Sequence, residues 1–133
     1  MIRVGFTGTQ KGMTEFQKEK FNYHIQRIKP DEFHHGDCIG ADEEAHNIVR
    51  KVLPDCRIVI HPPLNPSKRA WCVGDVYHTE REYKERNYDI VEYSDVLIAT
   101  PEQPDEILRS GTWMTIRYAR KWKVRDIIII GPV

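Results

Sequence analysis

The sequence predicts an α/β fold: one domain over residues 1–133, in three layers, with a five-stranded parallel sheet in the order 3-2-1-4-5 and helices on both faces. Two observations carry this. Five short apolar runs alternate with four stretches whose apolar residues recur at helical spacing. Polar, glycine-bearing segments follow several strand ends, which is where open parallel sheets hold their ligands.

Ile2 to Thr7, closed by Gly8, is the first strand. Thr14 and Gln17 are spaced as a capping box, and Phe21, Ile25 and Ile28 then mark a helix that ends at Pro30. Glu32 to His35 is the second strand. Ala41, Ala45, Ile48, Val49 and Val52 form a helical stripe stopped by Pro54. Arg57 to His61 is the third strand, ended by Pro62 and Pro63. Thr79 to Glu82 reads as a second capping box, opening a helix with Tyr83, Asn87, Ile90 and Val91 on one face. Asp95 to Thr100 is the fourth strand. Ser110 opens the last helix, with Trp113, Ile116 and Ala119 inward, and the apolar run Ile127 to Ile130 is a fifth strand expected to be covered on both faces. That strand fits either the middle or an edge of the sheet; 3-2-1-4-5 is the doubly wound choice.

Twenty basic residues balance twenty acidic ones, with 40% apolar and 30% charged residues. This is a globular composition, and it argues against a general nucleic-acid or membrane-surface binder. No apolar run approaches the roughly 18 residues of a membrane span. The start, Met1-Ile2-Arg3-Val4-Gly5, lacks the apolar region of a signal peptide, so a cytoplasmic setting is expected. Cys38, Cys56 and Cys72 are odd in number and show no CxxC spacing, which suits a reducing compartment. The histidines show no metal-ligand spacing, and His34 and His35 point to opposite faces of a strand, so no metal is expected. His61, at a strand end, is the histidine best placed for function. No separate cofactor is implied.

Three segments are candidates for chemistry. In Thr7-Gly8-Thr9-Gln10, neither the GxxxxGK[ST] order of a P-loop nor GxGxxG is present, despite Lys11 and Gly12. Thr9 and Gln10 are either ligand contacts or parts of a plain strand–helix turn. In Gly36-Asp37-Cys38-Ile39-Gly40-Ala41-Asp42, Gly36 and Gly40 permit close approach. Asp37 and Asp42, with Glu43 and Glu44, make the following helix start acidic, which suits ribose hydroxyls or a base edge better than phosphate. In Ser110-Gly111-Thr112, two hydroxyls and unpaired helix N–H groups lie beside Arg109 with no acid in the first turn. That is a phosphate seat or an ordinary N-cap. Asn87, on an otherwise apolar helix face, needs a polar partner, and Arg86 can bring charge to the same cleft. The segment Leu64 to His78, with Trp71 and Tyr77, is long enough to be a lid or a partner surface.

Taken in order, Thr7-Gly8-Thr9, His35-Gly36-Asp37-Cys38-Ile39-Gly40-Ala41-Asp42, Glu85-Arg86-Asn87 and Ser110-Gly111-Thr112 resemble the SLOG superfamily of Rossmann-like proteins over nearly the whole chain. The HGxxxGAD string and the downstream Arg-Asn pair are most similar to its small YpsA-like branches. The superfamily also includes the LOG phosphoribohydrolases and the DNA-processing protein DprA. The resemblance implies a Rossmann-like domain that binds a nucleotide or nucleotide-derived small molecule at the carboxyl edge of the sheet. It assigns phosphate to Ser110, Gly111 and Thr112, and other contacts to Gly8, Thr9, Gly36, Gly40, Asp42 and Arg86. LOG enzymes carry a PGGxGTxxE motif whose Glu serves cleavage. Here Arg109-Ser110 precedes Gly111, and Thr115 stands where that Glu would be.

The leading expectation is therefore a sensor, carrier or sequestering protein for such a molecule. The alternative is a nucleoside-phosphate N-glycosidase or deoxyribosyltransferase, with Glu85, Asp37 or Asp42 supplying the acid such chemistry needs. A further alternative is single-stranded nucleic-acid binding through Trp71, Trp113 and Trp122 with Arg117, Arg120, Lys121, Lys123 and Arg125. The same basic helix end also complements the helix dipole. Sheet edges and exposed aromatics suggest a homo-oligomer.

Overall fold

A computed structural model describes residues 1–133. Chain order is β1 (Arg3–Gly8), α1 (Glu15–Ile28), β2 (Glu32–His35), α2 (Ala41–Val52), β3 (Arg57–Ile60), β4 (Val76–Tyr77), α3 (Tyr83–Tyr93), β5 (Val96–Thr100), α4 (Gly111–Trp122) and β6 (Asp126–Ile129). All strands are parallel, in the order β4-β3-β2-β1-β5-β6. Helices α1 and α2 pack together on one face, and α3 and α4 on the other.

The sheet thus has six strands rather than the predicted five, and its order gains an edge strand beside β3. That strand, β4, is two residues long, too short to show a period of two. It is held by Asp75, whose carboxylate accepts from the Ile58 amide at 2.8 Å and from Arg50 at 3.1 Å. The final strand β6 lies at the other edge. Ile128 packs against the core on the α1/α2 face and Ile127 against the α3/α4 face, so both faces are partly covered, while Ile129 stays 37% exposed.

Helix α1 starts at the expected capping box: Thr14 Oγ1 accepts from the Gln17 amide at 3.1 Å, and Gln17 Oε1 accepts from the Thr14 amide at 3.0 Å. The second predicted box does not form. Glu82 caps α3 without a side-chain hydrogen bond. Arg81 is paired with Pro63, and its carbonyl accepts from the Leu64 amide at 2.9 Å, so the chain stays extended past Thr79.

The main core lies between the sheet and α1/α2. Phe6, Phe21 and Phe33 are fully buried there, with ring centroids 5.3 to 6.1 Å apart. Aromatic edges meeting this way add to the area they bury. On the other face Leu97, Val91 and Ala119 form a smaller cluster. Crossovers run to one side of β1 through α1 and α2 and to the other through α3 and α4. The carboxyl end of β1 is therefore the switch point where this architecture opens a crevice.

Candidate functional site

A polar cavity of about 340 Å³ opens at that point. Its size lies within the roughly 300–1,000 Å³ typical of small-molecule sites. The β1–α1 loop contributes Gly8, Thr9 and Gln10; α2 contributes Asp42; α3 contributes Arg86 and Asn87; and Ser110, Gly111 and Thr112 come from the start of α4. Gly36, Asp37 and Gly40 do not line it, and Glu85 is exposed outside it.

The start of α4 is open. Ser110 Oγ accepts from the Trp113 amide at 3.1 Å, and the Ser110 carbonyl from Met114 at 2.9 Å. The Gly111 and Thr112 amides donate to no protein acceptor, and both residues line the cavity. Ser110 is thus a genuine N-cap, while the next two amides hold the donor capacity and positive dipole end that favour an anion. The Tyr83 ring folds over this turn: a Cβ on Gly111 would lie 1.5 Å from the Tyr83 hydroxyl.

The start of α2 is closed. The Thr9 carbonyl accepts from Ala41 at 3.0 Å and from Gly12 at 3.1 Å, while its hydroxyl accepts from Lys11 at 3.2 Å. Gly40 makes this docking possible. Its φ is +91°, and a Cβ would sit 2.2 Å from the Gln10 carbonyl oxygen. Across the mouth, Lys11 Nζ pairs with Glu102 at 2.8 Å.

Arg86 is 3% exposed. Its Nη1 donates to the Gly36 carbonyl and, at 3.5 Å, to that of His61; Nη2 donates to Cys38 Sγ at 3.4 Å. Its Nε has no partner. Asp42 sits nearby. Its Oδ2 accepts from the Cys38 amide at 3.1 Å, and no cation lies within ion-pair distance. Burial pushes its carboxyl up to about 6, against the pull of Arg86. Burial likewise raises the Cys38 thiol.

Asp37 is turned away from the cavity. Fully buried with φ +54°, it accepts from Arg69 Nε at 2.9 Å and from the Cys72 amide at 2.8 Å, and so anchors the segment over β3. Of the three acids named from sequence, only Asp42 faces the cavity. Sequence reasoning did not assign Cys38, Tyr83 or Glu102 to it. Tyr83 precedes Arg86 by three residues and so shares its helix face, which was the available signal.

Four of the six histidines form two buried pairs on opposite sheet faces. His34 Nδ1 meets His61 Nε2 at 2.8 Å, and His34 Nε2 meets Glu32 at 2.9 Å. On the other face, donor atoms of His35, His46 and Cys72 lie within 4.8 Å of one another. The Asp37 amide donates to His35 Nδ1 at 2.9 Å, so the neutral ring carries its proton on Nε2, aimed at His46 Nδ1 3.0 Å away. The lone pair a metal would need from His35 is not there. Trp113, named for base stacking, is 5% exposed, and Arg117 and Arg120 are both paired with Glu106.

No family model and no curated protein matches the chain. Solved structures do. A molybdenum cofactor binding protein from the phototrophic bacterium Rippkaea orientalis superposes with a TM-score of 0.73 at 19% identity, covering 98% of this chain and 76% of that one. The molybdenum cofactor carrier protein of Chlamydomonas reinhardtii gives 0.69 at 18% identity, with coverage of 98% and 76%. The structural-genomics target TM1055 gives 0.65 at 15%, with coverage of 92% and 70%. At these identities the likeness establishes a shared Rossmann-like α/β fold.

Proposed function

We propose that this chain is a SLOG-like protein that binds a phosphate-bearing small molecule of nucleotide type at the carboxyl edge of its sheet, as a carrier, sensor or sequestering protein. One observation carries the reading: Gly111 and Thr112, whose amides are unpartnered, and Arg86, whose buried Nε has no partner, line the same cavity. Buried donors are rarely left unsatisfied without a purpose. The two fold neighbours described as binding or carrying molybdenum cofactor support a carrier role for a chain of this architecture. Calorimetry against mononucleotides, cyclic nucleotides and molybdenum cofactor tests it. Saturable one-site binding of at least one is expected; folded protein that binds none would refute the reading.

A second reading, N-glycosidic cleavage, is favoured by one feature. Asp42 lines the cavity with a carboxyl near 6, where acid and base forms coexist close to neutrality. Thr115 gives no help, since its hydroxyl donates to the Gly111 carbonyl at 2.9 Å. Free base released from a nucleoside monophosphate, and lost in Asp42→Asn, would establish it; no release over hours would dismiss it.

A further inference from the structure

The two edges of the sheet differ. At one, β4 is only two residues long, and so short a strand offers little to pair with. At the other, β6 runs from Asp126 to Ile129 and continues as Ile130, with no proline, lysine or glycine before Gly131. Residues of those kinds, or a bulge, ordinarily blunt a free edge. Here four consecutive isoleucines occupy it, and Ile129 is 37% exposed.

Alternation fixes which backbone groups of β6 are free. The Asp126 amide donates to the Asp95 carbonyl at 3.4 Å and the Ile130 amide to that of Ala99 at 2.8 Å. Even-numbered residues therefore spend their N–H and C=O groups on β5, and those of Ile127 and Ile129 point away from the sheet. No turn, loop or side chain takes them up. The side chains alternate as well: Ile128 packs on the α1/α2 face and Ile127 on the α3/α4 face, which Ile129 shares.

We infer that β6 is a self-association edge: a second copy of this chain adds its own β6 antiparallel, about a two-fold axis through Ile128, and the two sheets become one. Residues opposite each other in an antiparallel pair point to the same face, and either both or neither turn their backbone groups to the partner. Ile127 therefore lies against the partner's Ile129 and exchanges both hydrogen bonds with it, while Ile128 meets the partner's Ile128 as a pair without hydrogen bonds. A slip of one residue sets the free groups of Ile127 against bonded ones and puts every side chain on the wrong face. A slip of two toward the amino end sets Arg125 against Ile129 and Asp126 against Ile128. In the central register Ile129 is covered by an isoleucine, and Arg125 comes opposite Gly131, whose Cβ position has nothing within 4 Å. The strand is thus its own complement, which is the reason the occupant is a second copy. The contact is isologous and uses up both free edges, so assembly stops at the dimer. A strand pair of this length buries less than a standard interface, and the dimer dissociates on dilution.

The test is sedimentation of the full chain, with no ligand added, from about 10 μM to about 1 mM, with amide exchange measured at both ends of that range. The mass should double across the range. The Ile127 and Ile129 amides should exchange several-fold more slowly in the concentrated sample, with the Ile128 amide protected in both. Ile129→Pro removes an outward N–H without touching the ladder to β5, and Ile129→Lys sets a charge against Ile127; each should weaken dimerisation about tenfold or more. A chain that stays monomeric at about 1 mM, or a dimer that survives both substitutions, would overturn the assignment. Where neither variant folds, the wild-type exchange pattern decides: equal rates for the Ile127 and Ile129 amides at both concentrations exclude β6 from the contact.

Discussion

Arg86 carries a permanent charge at 3% exposure, yet its partners are carbonyls and a thiol rather than a carboxylate. It ties the ends of β2 and β3 to α3 and to the residue after Asp37. A lysine places one compact ammonium where a planar fork now spans three acceptors. Hydrogen bonds from a charged donor are worth about 1.5–3 kcal/mol each, so Arg86→Lys should cost about 3 kcal/mol in urea unfolding. A loss below about 1 kcal/mol would show that these tethers are not what holds the site. Asp37 gives a second prediction. Its left-handed backbone suits Asn as well as Asp, but both carboxylate oxygens accept, one from Arg69 Nε and one from the Cys72 amide, so an Asn would turn its NH2 toward one of these donors. Asp37→Ala and Asp37→Asn should therefore both cost about 2–4 kcal/mol in urea unfolding. A near-neutral Asp37→Asn would mean that the turn, not the pairing with Arg69, dominates. The sequence marked Asp37 and Asp42 as equals because both sit in one glycine-rich loop. What separates them is a contact with Arg69, 32 residues away, which no local pattern displays.

At the scale of elements, a start signal is legible when nothing distant competes with it. Thr14 and Gln17 cap α1 as their spacing predicts. Thr79 to Glu82 has equally good spacing, but pairing of Arg81 with Pro63 keeps that stretch extended and moves the cap to Glu82. Helix α3 therefore begins without a side-chain acceptor. Glu82→Ser should supply one and stabilise the protein by about 0.5–1 kcal/mol, whereas Ser110→Ala should remove the α4 cap and cost about 1 kcal/mol. Slowed amide exchange confined to the first turn of α3 would confirm the former, and no change there would contradict it. The same logic explains β4. Two residues beside β3 are set by the Asp75 and His78 amides donating to the Ile58 and Ile60 carbonyls and by the Asp75 carboxylate, not by any alternation along the chain. The parallel alternation, the helical stripes and the opening at the end of β1 were legible because each rests on periodicity or connectivity; the extra edge strand rests on contacts with β3 that a two-residue run does not display.

For the whole molecule, four buried histidines make stability depend on acid. Burial is the main cause that lowers His34, His35, His46 and His61, the last to about 2. Unfolded histidine titrates near 6.5. Above that pH neither state is protonated and stability is complete. As pH falls below it, the unfolded chain takes up protons that the native rings refuse, so stability drops by up to about 1.4 kcal/mol per pH unit for each ring. Asp42 opposes this: its native carboxyl near 6 lies above the unfolded value of 3.8, so between these values the native state takes the extra proton. One such group offsets one histidine, not four. Asp75 and Glu106, whose carboxyls are held low by hydrogen bonds from the Ile58 amide and Arg117 respectively, lose their contribution only as pH falls toward and below the ordinary carboxylate range. The interval from pH 6.5 to 5 therefore reports the histidines, less the one proton that native Asp42 takes up. Urea unfolding should lose on the order of several kcal/mol across it, a large share of a typical 5–15 kcal/mol. His46→Gln, at the rim of the His35 pair, should reduce the slope by about one proton while leaving the His34–His61 face intact. A flat profile between pH 7 and 5 would mean that these rings are hydrated or charged in the native state, and with that the packing of both sheet faces around β2 would need redrawing.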